Sequence, residues 1–330
     1  MSKPKYDATI AIPTWNGEEY LKQIIDAVMT QKTEHSYELL IVDSGSKDNT
    51  LTIVHENMRR HKNIRLHEIP NSEFGHGKTR NLMAHMAQGK YVVYLSHDAI
   101  PAHDHWLDEM LAPFELSDRV VGVMGKQEPR PYCIPMLKYE IRAVFGNFGP
   151  DFGTTLFYKG DFITNDGIYD AVRFYSDVNS AAPRDFLVSK ISYRDVPYAE
   201  DQLYGQDVIE AGYLKAYASR GMVVHSNDLL LKDYKKRMFD EVMGLRVTGK
   251  SPALPSRGAV IKMILKGSLR DMVRISRDGQ YSVKRKLYWY AVNPLFHIEK
   301  WRGVRLAMLT DMNDKRLAAK YSLEKTRKQD

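Results

Sequence analysis

The stretch KYVVYLSHDAIP, residues 90–101, decides how the first hundred residues read. Its apolar run is short and rich in β-branched and aromatic residues, which suits a buried strand better than a helix. The strand carries Asp98 at its carboxyl end, and Pro101 marks a turn. Upstream, GHGKTRNLMAHMAQG (75–89) reads as a glycine turn opening a helix that stops at Gly89. NIRLHEIP (63–70) reads as a short strand, and DNTLTIVHENMRRH (48–61) as a helix capped by Asp48 or Asn49. YELLIVDSGSKDNT (37–50) is an apolar strand ending at Asp43 and a Ser/Gly turn. In EEYLKQIIDAVMTQ (18–31), Leu21, Ile24, Ile25 and Val28 share one helical face. ATIAIPTWNG (8–17) is a strand that turns at Pro13–Gly17. Such alternation predicts a doubly wound, Rossmann-like α/β sheet, mostly parallel, with flanking helices. Ligands of such sheets gather beyond the strand carboxyl ends, so Asp43 and Asp98 are placed to face one crevice.

Past Asp98 the pattern loosens. HDHWLDEMLAPFE (103–115) reads as helix and VVGVMGKQEPR (120–130) as strand. Residues 130–195 mix aromatics with Gly, Pro and Asn and read as long loops. YAEDQLYGQDVIEAGYLKAYAS (198–219) is helical up to Gly212, and GMVVHSND (221–228) is a short strand. From Tyr234 onward the chain reads as mostly helix, with breaks at Ser251–Pro255 and Asn293–Pro294. The 330 residues include 43% apolar residues, enough for a large α/β domain with an appendage. No run of about 18 apolar residues predicts a membrane span, and the N-terminus lacks a signal-peptide layout. Cys133, the sole cysteine, excludes an internal disulfide and fits a reducing cytoplasm.

The net charge of +7 is unevenly spread. From Arg246 to Asp330 there are 20 Lys and Arg against 7 Asp and Glu; the remainder holds 28 against 34. An acidic body with a basic tail suits anionic partners, whether a lipid surface, nucleic acid or another protein. Nucleic acid is disfavoured, because the positive charge lies apart from the turn motifs and no nucleic-acid fingerprint appears.

Several constellations carry chemistry. The turn after the first strand offers Thr14, Asn16 and Glu18, and the second strand ends in Asp43; each also suits ordinary turns. No P-loop or GxGxxG fingerprint is present. In FGHGKTRNL (74–82), glycines permit close backbone approach, and Lys78 and Arg80 stand near a helix N-terminus that favours anions. Asp98 is the candidate for a divalent cation shared with substrate phosphates, while His97 should point the other way. His103, Asp104 and His105 fit a surface or capping role, since neither HExxH nor paired Cys/His spacing occurs. Glu200 and Asp201 open a helix, where acids are favoured anyway; one of them also suits a general base. His225 ends a strand, as a metal ligand or a structural hydrogen-bonding group.

The order and spacing of these elements are more telling than any one. P-T-x-N at 13–16, V-D-S-G-S-x-D-x-T at 42–50, F-x-H-G-x-T-R-N at 74–81, D-A-x-P at 98–101, W-L at 106–107, E-D at 200–201 and H-S at 225–226 together resemble the inverting glycosyltransferases of family 2. The F-x-H-G-x-T-R-N and D-A-x-P elements look most like bacterial rhamnosyltransferases. The resemblance covers residues 5–230 and is specific in the first hundred. It implies a GT-A fold over residues 1–245, with a nucleotide-sugar half (1–125) and an acceptor half (126–245), followed by a basic helical region (246–330). It implies a nucleotide-diphosphate-sugar donor, dTDP-rhamnose or a UDP-sugar, and Mn²⁺ or Mg²⁺. Donor binding would fall to Pro13, Thr14, Asn16, Glu18, Asp43, Ser44, Gly77, Lys78, Arg80, Asn81, Ser96 and His97. Asp98 matches the last carboxylate of the family's D-x-D motif and would meet the metal with His225. Ser96 replaces the first acid of that motif, as is common among rhamnosyltransferases, and His97 stands where they often have Gln. Asp201 matches the base of the Glu200–Asp201 pair. A cation with Lys78 and Arg80 would neutralise the leaving diphosphate, and one in-line displacement would invert the anomeric centre.

The resemblance also implies a cell-surface polysaccharide precursor, a lipid-linked glycan, as acceptor. The tail then suits an anionic membrane at the inner face of the cell. Val260, Ile261, Ile264, Leu265, Leu269 and Met272 fall at helical spacing among cations, and Trp289, Tyr290, Leu295 and Phe296 are candidates for apolar insertion. The rival reading of the tail is a helical bundle, or a surface for homo-oligomer assembly.

Overall fold

The computed structural model describes residues 3–227, 229–247, 249 and 253–323. The chain forms two compact units, one of residues up to 128 with 144–225, the other of 129–143 with 226 onward.

The first unit opens as the strand–helix alternation requires: β1 (Tyr6–Thr14), α1 (Glu18–Met29), β2 (Tyr37–Asp43), α2 (Thr50–Arg60), β3 (Ile64–Glu68), α3 (His76–Met86) and β4 (Gly89–Leu95). β5 (Ile100–Pro101), α4 (Trp106–Leu111), β6 (Val120–Glu128), α5 (Pro135–Gly146, most of it in the second unit), β7 (Thr154–Phe157), α6 (Asp166–Arg173), β8 (Asn179–Pro183), α7 (Arg184–Ser189), α8 (Glu200–Glu210) and β9 (Leu214–Val224) follow. The sheet order is β3-β2-β1-β4-β8-β6-β9-β5, with β7 added on β9. β1 to β4 pair in parallel, and the register sets Thr14 opposite Asp43, so β1 and β2 end level. Ala8, Ile10, Ala11 and Ile12 of β1 are fully buried, as expected of a parallel strand covered on both faces. Leu21, Ile24, Ile25 and Val28 of α1 are buried in the same core. Glu38 is buried on β2, where Thr9 Oγ1 and the Gln88 N–H each donate to it at 2.8 Å and Arg65 pairs with it at 2.9 Å.

Three expectations for this unit need correction. The strand expected over 90–101 stops at Leu95; Ser96–Ala99 closes as a turn, with the Ala99 N–H on Ser96 O at 3.0 Å, and Ile100–Pro101 pairs with β9 instead. Asp98 therefore sits on a turn between two strands, not at the end of one. The expected loops of 130–195 contain α5, β7, α6, β8 and α7. β8, with the sequence NSAAP, lies antiparallel between β4 and β6; its small polar residues give no strand signal and are accepted because large neighbours cover them.

The second unit contains α9 (Leu231–Val247), α10 (Arg257–Arg277), α11 (Val283–Leu309) and α12 (Lys315–Tyr321). Its core joins Ile134, Met136 and Tyr139 to Tyr234, Met238, Ile275, Tyr281, Trp289 and Phe296. Trp289 and Phe296 are thus core residues, not inserting ones. The expected break at Asn293–Pro294 does not occur, and α11 runs through it. Tertiary contacts offset the proline: Asn293 is buried, accepts from the Met136 N–H at 3.0 Å and donates to Asp271 at 3.3 Å. Of the break expected at Ser251–Pro255, Ser251 and Pro252 lie outside the described residues. The edge expected at 245/246 falls inside α9, which packs on α11 through Tyr234 and Phe296, with ring centroids 5.2 Å apart. Among the described residues no helix is long and apolar enough to cross a membrane.

Candidate active site

Three turns at strand ends and the start of α8 supply the candidate residues. The first two turns are laced together. Asp43 is fully buried and accepts from Thr14 Oγ1 (3.1 Å), the Gly45 and Ser46 N–H groups (both 2.9 Å) and Ser46 Oγ (2.5 Å). Ser44 donates its N–H and hydroxyl to Thr14 O. Asn16 adopts a left-handed φ of 48°, which Asn tolerates, and its side chain accepts from the Lys47 N–H at 2.8 Å. Glu18 accepts from the N–H and side chain of Asn49. Pro13, Thr14, Asn16, Glu18, Asp43 and Ser44 therefore line one seam. Gly17 also abuts the His97 ring, at 3.4 Å from where a Cβ would stand, which brings the Ser96–Asp98 turn alongside.

In that third turn Ser96, His97 and Asp98 are half-buried. Asp98 Oδ2 lies 3.4 Å from Nε2 of buried His225, the residue following β9. His225 Nδ1 donates to Gln127 Oε1 at 3.0 Å, and Gln127 in turn donates its amide N–H to Ser176 Oγ at 3.0 Å. With Nδ1 carrying the proton, Nε2 presents its lone pair toward Asp98. One carboxylate and one imidazole nitrogen on adjacent turns fit a divalent cation whose other ligands are substrate oxygens and water. Among the described residues no group of three or more His, Cys, Asp or Glu converges as a protein-only metal site. His103 binds Arg220 O, Asp104 pairs with Lys32, and His105 is an exposed neighbour of Asp104 and Asp108.

The F-x-H-G-x-T-R-N segment is built differently from a phosphate loop. A Cβ at Gly77 would stand 2.2 Å from Arg194 O, so only glycine allows α3 to approach that backbone. Asn81 brackets Tyr193, donating to its carbonyl (2.8 Å) and accepting from its N–H (2.9 Å). Lys78 is exposed. Arg80 is buried and turned inward: Nε lies 3.1 Å from Asp177 Oδ2, and Nη1 donates to Glu200. The expectation that Arg80 meets a diphosphate is corrected on this geometry, as is any reading of Glu200 as an open base.

The chain enters α8 through Ala199 at φ 64°, a strained conformation for alanine. Glu200 is buried against Arg80, while half-buried Asp201 accepts from the Gln202 N–H at 2.7 Å and the Asp177 N–H at 3.4 Å. Asp177 also accepts from Ser180 Oγ (2.6 Å) and Tyr193 OH (2.9 Å). Burial works against the charge on Arg80, but Asp177 and Glu200 overcome it and raise its pKa. Three carboxyl groups then share one guanidinium. Burial, followed by the charges of Glu200 and Asp177, pushes Asp201 up to about 8, with Arg80 opposing. Burial also raises Asp177. A carboxylate of such proton affinity can take a hydroxyl proton near neutral pH.

Sequence reasoning missed Asp177, Tyr193 and Gln127. Gln127 carried a usable signal, as a polar residue at the end of an apolar strand. Asp177 lies among the small polar residues before β8, where none stood out.

Solved structures share this fold. The mannosyltransferase PcManGT from Pyrobaculum calidifontis, determined with GDP-Man and Mn²⁺, aligns with a TM-score of 0.55 at 15% identity, over 92% of this chain and 85% of its own. S. aureus TarS 1–349 with UDP-GlcNAc aligns at 0.51 and 17%, over 92% and 90%. The fold is that of the GT-A glycosyltransferases. The chain belongs to glycosyl transferase family 2, matched over residues 9–186, and the protein is a glycosyltransferase. It is 28% identical over 234 residues to the O-antigen chain rhamnosyltransferase RfbN of Salmonella typhimurium, and 31% over 235 residues to WbaN of Salmonella anatum, covering 70% of each chain in both cases.

Proposed function

We propose that the enzyme transfers L-rhamnose from dTDP-L-rhamnose, with inversion, to a lipid-linked precursor of a cell-surface polysaccharide. The carrying observation is the placement of Asp201 at the start of α8, half-buried beside a committed Arg80–Glu200–Asp177 cluster. The two Salmonella relatives, both O-antigen chain rhamnosyltransferases by name, support the donor sugar and the lipid-linked acceptor.

In this reading Asp201 takes the proton from the acceptor hydroxyl as that oxygen attacks the anomeric carbon and the bond to the diphosphate breaks. Glu200 and Arg80 position it. The seam around Asp43 shapes the nucleoside site, with Ser96 and His97 beside it. Asp98 and His225 would hold Mn²⁺ or Mg²⁺, which when bound offsets the charge of the departing diphosphate. Lys78, exposed on the first turn of α3, is the remaining cation suited to that diphosphate. Use of a lipid-linked acceptor places the enzyme at the cytoplasmic face of the membrane.

The test is donor hydrolysis by the purified full chain across dTDP-rhamnose, UDP-GlcNAc, UDP-galactose and UDP-glucose, with and without chelator. Turnover should be fastest with dTDP-rhamnose and lost on chelation. Preference for a UDP-sugar would overturn the donor, and full activity in chelator would overturn the metal.

A further inference from the structure

α10 has an unusual outer face. Ile261, Leu265, Leu269 and Val273 recur every four residues and are 59%, 59%, 63% and 51% exposed. Four-residue steps keep them in one slowly winding row, about 18 Å long. Lys262, Lys266 and Arg270 each follow a row member by one position and are exposed beside it. Farther round the helix is a cavity of about 240 Å³, lined by Met263, Lys266, Gly267 and Arg270 of α10 and by His297 and Trp301 of α11. Its wall also holds Lys300, which pairs with Glu140; Lys266 and Arg270 are the exposed cations at its edge, Arg270 Nε lying 3.6 Å from Asp271 Oδ1. Gly267 makes room for His297, since a Cβ there would stand 2.7 Å from its ring. His297 is locked by Asp271 at 2.8 Å, which fixes the cavity wall. In order around the helix come an apolar row, a row of cations and a cavity that two of those cations border.

We infer that α10 docks on an anionic phospholipid surface, the Ile261–Val273 row entering the lipid while Lys266 and Arg270 receive a headgroup phosphate at the mouth of the cavity beside it. The inference rests on the lipid-linked acceptor proposed above. Charge complementarity selects the occupant: a protein partner would need acids opposite every cation of the row, whereas a lipid surface supplies apolar depth and phosphate at the same boundary. Four large exposed apolar residues in one row on a charged helix also exceed the scattered exposure normal for a soluble surface. The aromatic residues Trp289 and Phe296 take no part, because the core of the unit holds them.

The test uses the full chain with vesicles of phosphatidylcholine alone or of phosphatidylcholine with phosphatidylglycerol. The wild type should float only with the anionic vesicles and be partly released by salt. L265E/L269E changes exposed positions, so the fold should survive, and it should lose flotation. K266E/R270E should bind at least about 30-fold more weakly. An environment-sensitive dye on Leu269→Cys should shift to the blue with anionic vesicles; buried Cys133 will not compete for label. Wild-type-like binding by L265E/L269E would overturn the inference. So would an oligomer that ignores vesicles and is dispersed by that variant, which would make the row a contact between copies. Occupation by inorganic phosphate with no vesicle binding would also overturn it, marking a soluble-phosphate site. Donor hydrolysis without vesicles separates the two readings: L265E/L269E should match the wild type, and a wild type that hydrolyses no nucleotide sugar counts against the transferase assignment alone.

Discussion

Replacing Asp201 by Asn should remove most transfer and stabilise the protein, and the stabilisation should grow with pH. In the folded chain the carboxyl is pushed up to about 8 by burial and by Glu200 and Asp177. In the unfolded chain it ionises near an ordinary value of about 4. Between those values folding binds a proton, so the stabilising contribution is fully present below about pH 4 and is lost as pH rises through about 8. The slope is about 1.4 kcal/mol per pH unit. The amide in D201N has no such dependence and can still accept the hydrogen bond from the Gln202 N–H. For units of this size 1 kcal/mol corresponds to about 2–4 °C in Tm. The Tm of D201N minus that of the wild type should therefore rise by about 3–6 °C per pH unit from pH 5 to 8 and level off above. Titrating groups outside the cluster of Arg80, Asp177, Glu200 and Asp201 affect both proteins and cancel in the difference. The assays are thermal unfolding over pH 5–9 and single-turnover transfer over the same range. Wild-type kcat/KM should climb about tenfold per unit up to about pH 8, and D201N should lose about 10²–10⁴-fold with nucleotide binding retained. Parallel Tm profiles, or transfer that is flat from pH 6 to 8, would refute the reasoning. A nearly wild-type D201N with an inactive E200Q would swap the two roles.

Asp98→Ala should abolish metal-dependent transfer in a folded protein, whereas His103→Ala and His105→Ala should stay close to wild type in the same assay. Gln127→Leu removes the acceptor that fixes the His225 tautomer, so Mn²⁺ affinity measured by calorimetry with nucleotide diphosphate present should fall about 10–100-fold, with about 1–3 kcal/mol of stability lost at the buried His225. Arg80→Ala leaves Asp177 and Glu200 buried without their cation and should cost about 3–5 kcal/mol in denaturant unfolding. Arg80→Lys should fold but lower kcat with the donor KM intact; a raised donor KM at unchanged kcat would return Arg80 to the diphosphate.

The fold was legible where one physical rule governs one segment. β1, β2 and β4 are covered on both faces, so each reads as an apolar run, and α1 shows its buried face as a 3.6-residue period. Legibility ended where burial comes from long-range neighbours. β8 is a central strand made of Asn, Ser, Ala and Pro, and only Trp106, whose indole donates to Asn179 at 3.1 Å, and the strands beside it make that sequence a strand. Pro294 shows the converse, a strong local breaker overridden by Asn293 buried against Met136 and Asp271. The tail aromatics misled for a related reason: Trp and Phe between cations have the same spacing whether a helix lies on a lipid or packs on its neighbours.

Site residues divide along a similar line. Asp43, Asp98 and His225 could be nominated one by one, because a polar group ending an apolar run is visible locally, and Asp201 because it opens a helix. Their partners could not. Asp177 is about a hundred positions from Arg80, and nothing in either segment announces the other. The motif at 74–81 shows what that hides. As a string of glycines and cations near a helix start it reads as a phosphate loop. In the structure Gly77 yields space to Arg194, Asn81 holds Tyr193 by two hydrogen bonds, and Arg80 ties down Glu200 and Asp177. All three contacts reach the residues that lead into α8. A segment on the nucleotide-sugar side of the sheet thus fixes the position of the proposed base. Damage to it should appear in the rate of the chemical step before it appears in donor affinity.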